Sequence, residues 1–491
     1  MTTTVNTAFE PVIGLEVHIQ LKTDSKMFCS CERSYFDTEP NSHVCVICMG
    51  MPGALPVINR QAVFYTVMAG LALDCDIASV AKFDRKNYPY PDLVKGYQIS
   101  QYDQPFCENG ALLVETDDGS ERPVELERIH LEEDTARLVH REEDGKSYSL
   151  LDLNRSGSPL MELVTRPNIR SAKEAASFLR RLRQLARYLD ISDANMEKGQ
   201  LRCDANISIR PVGETVLGTK VEIKNMNSFR AVQRAIEYEI ERQSQVVLTG
   251  ERIVQETRGF IDNTGETVSQ RSKEGASDYR YFPEPDLPPL TINPGFLEEV
   301  REAMPELPRE RAARFIEEYG LSPSEATTLT SSKLRSQAYE DCVQFDKTVP
   351  PRNIAKWFIG EIAKHINELG VDAELSDTLV KSDNISRLVK LVEKKDITQN
   401  AARDILAEMF ESGDDPEALV DKLGLRKTTD LDAIRSVAKD VIDQNPKAVE
   451  DYIGGKESAI GFLLGQVMRA TKGTADANTV RELLKEILDS N

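Results

Sequence analysis

The sequence lacks the common signatures of nucleotide binding. A phosphate-cradling loop reads G-x-x-x-x-G-K-[ST]. Gly145-Lys146-Ser147 supplies its end, but His140 stands where the first glycine is needed. Gly454-Gly455-Lys456 is followed by Glu457 and fails as well. No Rossmann fingerprint, kinase signature set or Ser- and Gly-rich amidase stretch occurs. Use of ATP would therefore need a carboxylate-and-metal cleft on an antiparallel sheet. Long apolar runs are missing too: no stretch of 18 apolar residues exists, so no membrane-spanning helix is expected. The start, MTTTVNTAFE, has neither a basic n-region nor an apolar h-region, so the expected compartment is the cytoplasm. Eight cysteines in 491 residues are too few for a disulfide scaffold. Positive charge is short: 61 Lys and Arg face 81 Asp and Glu, a net charge of −20. The overall field excludes a non-specific nucleic-acid binder, and an RNA partner would need a local patch or recognition by shape.

What is present is globular: 40% hydrophobic and 29% charged residues, in a length that suits about three domains. Up to about residue 290, short segments alternate apolar and polar residues, as half-buried strands do. They are 12–22, 203–210 and 219–225. Asp117–Gly119 and Asp144–Gly145 read as hairpin turns. A helix over 171–190 starts at Ser171 and carries Phe178, Leu179, Leu182, Leu185 and Ala186 on one stripe. Strands with inserted helices, lacking a regular βαβ rhythm, predict an α+β domain. The Pro-rich stretch 283–294 reads as a linker. Beyond it the pattern is helical: Thr398 caps a stripe of Ala402, Ile405, Leu406, Met409 and Phe410 that ends before Gly413. A second break falls at 412–416. The expected domains are 1–293, 294–412 and 413–491.

Three constellations carry chemistry. Cys29 and Cys31 form C-x-C, and Cys45 and Cys48 form C-x-x-C. Four thiolates on two short turns can close a tetrahedron around a structural Zn²⁺; two pairs of ordinary buried cysteines are the alternative. In the alternating strands, period two puts each polar set on one face. Those sets hold Glu16 and His18, then Asp204, then Glu222 and Lys224, and a further segment adds His130, Glu132, Glu133 and Asp134. If the faces share one cleft, so many carboxylates need a divalent cation such as Mg²⁺; a solvated outer sheet face is the alternative. The third is 454–474, where Lys456, Arg469 and Lys472 stand against Glu457 alone. Gly454, Gly455, Gly461, Gly465 and Gly473 permit close approach, and Phe462 can stack on a base. A Gly-containing helical hairpin explains the same residues.

Several long segments together resemble a known family: VIGLEVHIQLKTDSKMF (12–28), KFDRKNYPYPDLVKGYQISQYDQP (82–105), HLEED (130–134), DLNRSGSPLMEL (152–163), LRCDANISIR (201–210), KVEIKNMNSF (220–229), QETRGF (255–260), DYRYFPEPDLPPL (278–290) and YIGGKESAIGFLLGQVM (452–468). They are similar to the B subunits of bacterial aspartyl/glutamyl-tRNA amidotransferases, from about residue 10 to the end. The resemblance implies a glutamine-synthetase-like cradle domain followed by a helical domain and a helical, tRNA-contacting tail. It implies a ligase in a heterotrimer with the amidase (A) subunit and the small (C) subunit of that enzyme. Ammonia released by the amidase would amidate the side chain of Glu or Asp misacylated on tRNA(Gln) or tRNA(Asn), after ATP-dependent phosphorylation of its carboxylate. By the same resemblance Glu16, His18, Glu133 and Glu222 match a Mg²⁺ and nucleotide site, with Glu132 and Asp204 beside it. Lys82, Arg85, Lys86, Asn87 and Tyr88 are implied phosphate or substrate contacts. Lys224 and Arg280 are expected to steady transition-state charge, and Gly454, Gly455, Lys456, Arg469 and Lys472 to meet tRNA. A small-molecule ligase without RNA and a non-catalytic zinc-pinned scaffold are the competing readings.

Overall fold

The computed structural model describes residues 9–272, 279–370, 372–427, 430–471 and 473–489. They form two units, Met1–Leu307 and Pro308–Asn491. The first is built on a nine-stranded sheet. In chain order its strands are β1 (Phe9–Gln20), β2 (Asp76–Ile77), β3 (Cys107–Glu115), β4 (Glu121–Glu133), β5 (Pro159–Thr165), β6 (Leu201–Pro211), β7 (Val221–Lys224), β8 (Glu256–Ile261) and β9 (Glu266–Ser272). Across the sheet the order is β9-β8-β7-β6-β1-β5-β4-β3-β2. β7 and β8 run parallel, and the other neighbours are antiparallel.

Alternation divides this sheet into two chemistries. Ile13, Leu15, Val17 and Ile19 of β1 share a buried core with Ala205 and Ile207 of β6, Ile223 of β7 and Leu131 of β4. Helices cover that face. Ala172–Tyr188 begins where Ser171 accepts from the Glu174 amide, and its Phe178, Leu179 and Leu182 enter the core. Phe229–Leu248 contributes Ala231, Val232, Ala235 and Ile236. The expected hairpin turns are both present: one joins β3 to β4, and Asp144 and Gly145, both at positive φ, join Arg137–Glu143 to Lys146–Asp152.

The division between the units falls past the Pro-rich stretch, at Leu307 and Pro308. The helix Pro294–Ala303 stays with the first unit because Val300 enters its core and Phe296 meets Phe64 edge-on at 5.9 Å. The second unit is helical with two cores. One runs from Phe315 to Leu425 and the other from Ile434 to Leu488. Thr398 caps Gln399–Ser412, and Gly413 ends it in the left-handed conformation that a residue with a Cβ adopts only under strain. The next helix, Pro416–Leu423, packs Leu419 and Val420 into the earlier core, so the tail's own core begins later than the break at 412–416. No helix among the described residues is long and apolar enough to cross a membrane.

Candidate active site and four-cysteine cluster

The polar face of the sheet carries the site. Register aligns Arg202 of β6, His18 of β1, Glu162 of β5 and His130 of β4 in one row. Neighbouring rows hold Glu16 beside Asp204, Asn206 beside Glu222, and Leu160 beside Glu132. Glu162 sits between two imidazoles, 3.2 Å from His18 Nε2 and 3.2 Å from His130 Nε2. Glu132 lies 3.6 Å from His18 and accepts from Ser100 Oγ at 3.0 Å. His18, Glu132 and Glu162 each offer a ligand atom within 4.8 Å of the others. The two carboxylate oxygens suit a hard divalent cation, and the imidazole nitrogen is a borderline ligand that adds to them only when it is neutral.

Electrostatics bind the row together. Burial alone would lower the His130 pKa, but Glu162 and Glu132 outweigh it and push it up to about 9. His18 is raised by the same balance. Burial would raise the Glu162 carboxyl, yet the two imidazoles hold it well below the usual range. A cavity of about 380 Å³ opens over this face. Lys86, Arg202 and Lys224 line it, so three cations face the carboxylates. Lys86 is raised because Glu132 and Glu162 outweigh its desolvation, and its Nζ lies 5.1 Å from the Tyr279 ring centroid.

The sequence-predicted residues fall into distinct groups. Glu16, His18, Glu132, Asp204 and Glu222 share the polar face. Glu16 accepts from Asn206 at 2.9 Å, Asp204 from Lys224 at 2.6 Å, and Glu222 from Thr257 at 2.7 Å. Glu133 is not among them. It follows Glu132 directly, so alternation turns it to the other face, where Lys95 and the Ile99 amide hold it. Lys86, Tyr88 and Lys224 line the cavity, and the Tyr88 hydroxyl donates to Gln98 at 3.2 Å. Lys82 is engaged by Asp84 and Asp103, and Arg85 by Glu284 at 2.6 Å and the Tyr97 ring. Asn87 donates to the Arg280 carbonyl at 2.9 Å, and Arg280 itself has a positive φ. Glu162 and Arg202 belong to the family-like segments 152–163 and 201–210, but sequence reasoning did not single them out. In the tail, Gly454 and Gly455 follow Pro446–Ile453, Lys456 lies 3.5 Å from Asp451, and Arg469 is in the last turn of Ser458–Ala470. Phe462 is exposed. Lys472 lies outside the described residues.

Away from the cavity, the sulfurs of Cys29, Cys31, Cys45 and Cys48 lie within 4.8 Å of one another, and Cys45 and Cys48 are 3.9 Å apart. Sulfurs bonded to zinc at about 2.3 Å define tetrahedron edges of about 3.8 Å, so the four residues fit that ion. A bond from the Cys29 thiol depresses Cys48 to about 4, while the same contact and burial push Cys29 up. The buried Lys26 ammonium donates to the carbonyls of His43 and Leu153 at 2.8 and 3.1 Å, and its charge also favours the Cys48 thiolate.

Known proteins match this chain over nearly its whole length. Residues 11–298 match the family model described as the GatB/GatE catalytic domain, and residues 337–488 match the one described as the GatB domain. The B subunit of the aspartyl/glutamyl-tRNA(Asn/Gln) amidotransferase of Thermomicrobium roseum is 52% identical over 482 residues, covering 98% of this chain and 99% of that protein. The corresponding B subunits of Dehalococcoides mccartyi strain 195 and Persephonella marina are 50% and 47% identical, with the same shares covered. A sheet that collects acidic and imidazole groups on one face, and likeness along nearly the whole length, lead to one conclusion: this chain belongs to the B-subunit family of the aspartyl/glutamyl-tRNA(Asn/Gln) amidotransferases.

Proposed function

We propose that the chain is the ATP-using component of a tRNA-dependent amidotransferase, and that the polar face of the sheet is where a side-chain carboxylate is activated. The observation that carries this reading is the acidic row around Glu162 beneath a cavity lined by Lys86, Arg202 and Lys224. A carboxylate carbon is a poor electrophile because its leaving group would be oxide. In the proposed reaction, an oxygen of the Glu or Asp side chain on misacylated tRNA attacks the γ-phosphorus of ATP. The bond to the bridging oxygen breaks and ADP leaves. Ammonia then attacks the acyl carbon, loses a proton, and expels phosphate to give the amide.

Phosphoryl transfer needs alignment and neutralisation of charge more than covalent chemistry from the protein. Lys86, Lys224 and Arg202 place cations along the cavity for phosphate oxygens. His18, Glu132 and Glu162 would hold Mg²⁺, which supplies charge neutralisation for the triphosphate when bound. Glu16, Asp204 and Glu222 extend the acidic face, a path along which neutral ammonia travels more readily than an anion. We assign the four-cysteine cluster to a structural Zn²⁺, because four thiolates leave no open position for chemistry.

In this reading the amidase partner supplies the ammonia and a small third polypeptide completes a heterotrimer in the cytoplasm. The tail core, with Gly454, Gly455, Lys456 and Arg469, meets the tRNA body by shape. The decisive test combines the chain with its amidase and small partners, ATP, Mg²⁺, glutamine and each misacylated tRNA, and identifies the released amino acid. Gln or Asn formed only with ATP supports the reading, and unchanged Glu and Asp refute it. The zinc assignment predicts about one Zn per chain and a lower melting temperature for Cys45→Ser. Metal-free protein of unchanged melting temperature refutes it.

A further inference from the structure

The four-cysteine loop and the cavity are linked by two buried hydrogen bonds and an ion pair. Tyr35 lies in the loop between the two cysteine pairs, and its hydroxyl donates to Gln20 Oε1 at 2.9 Å. Gln20, at the end of β1, donates through Nε2 to Asp134 Oδ2 at 2.7 Å. The same Asp134 oxygen lies 2.9 Å from an Arg202 Nη2 nitrogen, and Arg202 lines the cavity beside His18. Tyr35, Gln20 and Asp134 are all buried, so water cannot readily replace a missing link. A second connection runs through the backbone. Ser156 Oγ donates to the Cys48 carbonyl at 3.1 Å, the Gly157 amide to the Asp134 carbonyl, and the Asp134 amide to the Ser158 carbonyl.

Arg202 is held by one side only. Asp134 takes Nη2, while its buried Nε has no hydrogen-bond partner. The buried Nε cannot meet a ligand, but the side chain is 38% exposed where it lines the cavity, so a guanidinium held by one carboxylate can still accept a second anion there. Its position across from His18 puts that anion next to the acidic row, where a phosphate of ATP belongs in the function proposed above.

We propose that Arg202 is a phosphate-binding residue and that Tyr35, Gln20 and Asp134 are positioning residues that fix it from the four-cysteine loop. The loop is then part of the nucleotide site's geometry as well as a staple of the fold. This inference rests on the ATP-dependent reading, and its test separates the two.

The assembled enzyme is measured with Tyr35→Phe, Arg202→Gln and the double variant. The readouts are KM for ATP, kcat, equilibrium binding of a non-hydrolysable ATP analogue, zinc content and melting temperature. Tyr35→Phe removes one hydroxyl and is expected to raise KM for ATP roughly 3- to 10-fold, the scale of one net hydrogen bond. Its kcat should change less, and its zinc content should stay at the wild-type level. Arg202→Gln should weaken ATP binding more. Because Tyr35 acts through Arg202, the double variant should be no weaker than Arg202→Gln alone. A Tyr35→Phe enzyme with wild-type KM for ATP overturns the proposal, and so do two effects that simply multiply in the double variant. Should Tyr35→Phe misfold, Gln20→Met breaks the same chain with little change in volume, and the same two outcomes apply. A wild-type enzyme that shows no saturable ATP dependence would sink the underlying function instead.

Discussion

In the first unit a buried glutamate, Glu162, sits between two histidines. In the second a buried glutamate, Glu340, sits between two arginines. Their exposures are nearly the same, 6% and 5%. Glu340 receives Arg311 Nε at 2.9 Å, Arg314 Nη1 at 2.7 Å and the Tyr319 hydroxyl at 3.3 Å. The difference is in the cations. A guanidinium does not lose its proton at any pH the protein meets, so the helical cluster is closed. An imidazole can give up its proton, and its nitrogen then becomes a metal ligand. The sheet cluster is therefore able to exchange protons for a divalent ion, and a cavity lies over it. Burial of charge alone does not mark a site; burial against a displaceable cation beside open space does.

The largest expected effect tests that distinction directly. Glu162→Gln should lower ATP-dependent amidation by at least roughly 100-fold, since it removes a proposed metal ligand and the carboxylate shared by both imidazoles. Its unfolding free energy should change little, because Glu132, 3.6 Å from His18 and 3.7 Å from His130, still pairs with the imidazoles and either imidazole can give up its proton. Glu340→Gln should behave in the opposite way. It removes the carboxylate that Arg311 and Arg314 share, although Gln337 and Glu318 stay beside them, at a cost of about 2 kcal/mol in the second unit. Catalytic constants of the folded fraction should stay at the wild-type level. Urea unfolding and steady-state kinetics on both variants check the pair. Equal destabilisation by the two substitutions would break the comparison.

How much of this was legible follows from the same residues. Strand alternation reveals that Glu16, His18, Asp204 and Glu222 face one way, because period two is a local property. The same rule separates Glu132 from Glu133, and placing both in the cleft overlooked it. Glu162 left a usable signal: a single carboxylate inside the apolar run PLMELV, on a strand paired on both sides, must be compensated. Its partners were not readable, since they depend on register between strands far apart in the chain. Lys82 and Arg85 have partners that were equally unreadable. They are basic residues in a family-like segment, yet carboxylates claim them, and Glu284 is remote in sequence. The cysteine cluster was legible because its spacing is itself the geometry. The helical unit was readable as helices from caps and stripes, as Thr398 and Gly413 show. Where one helical core stopped was not, because Leu419 and Val420 continue an apolar pattern that either core accepts.

The smallest effect concerns acid. Burial would raise the Glu340 carboxyl, but hydrogen bonds from Arg314 and Arg311 outweigh it and hold it below the usual range. A carboxyl depressed in the folded state adds stability above its unfolded value of about 4.3 and loses it as pH falls through the folded value. The second unit should therefore keep its urea midpoint between about pH 7 and 5 and weaken below about pH 4. In Glu340→Gln the group that titrates is gone, so the variant starts lower but declines less steeply over that acid range. Parallel declines in the two proteins would mean that other carboxylates govern acid unfolding, and that the arginine-closed cluster is less tightly coupled to the fold than its distances indicate.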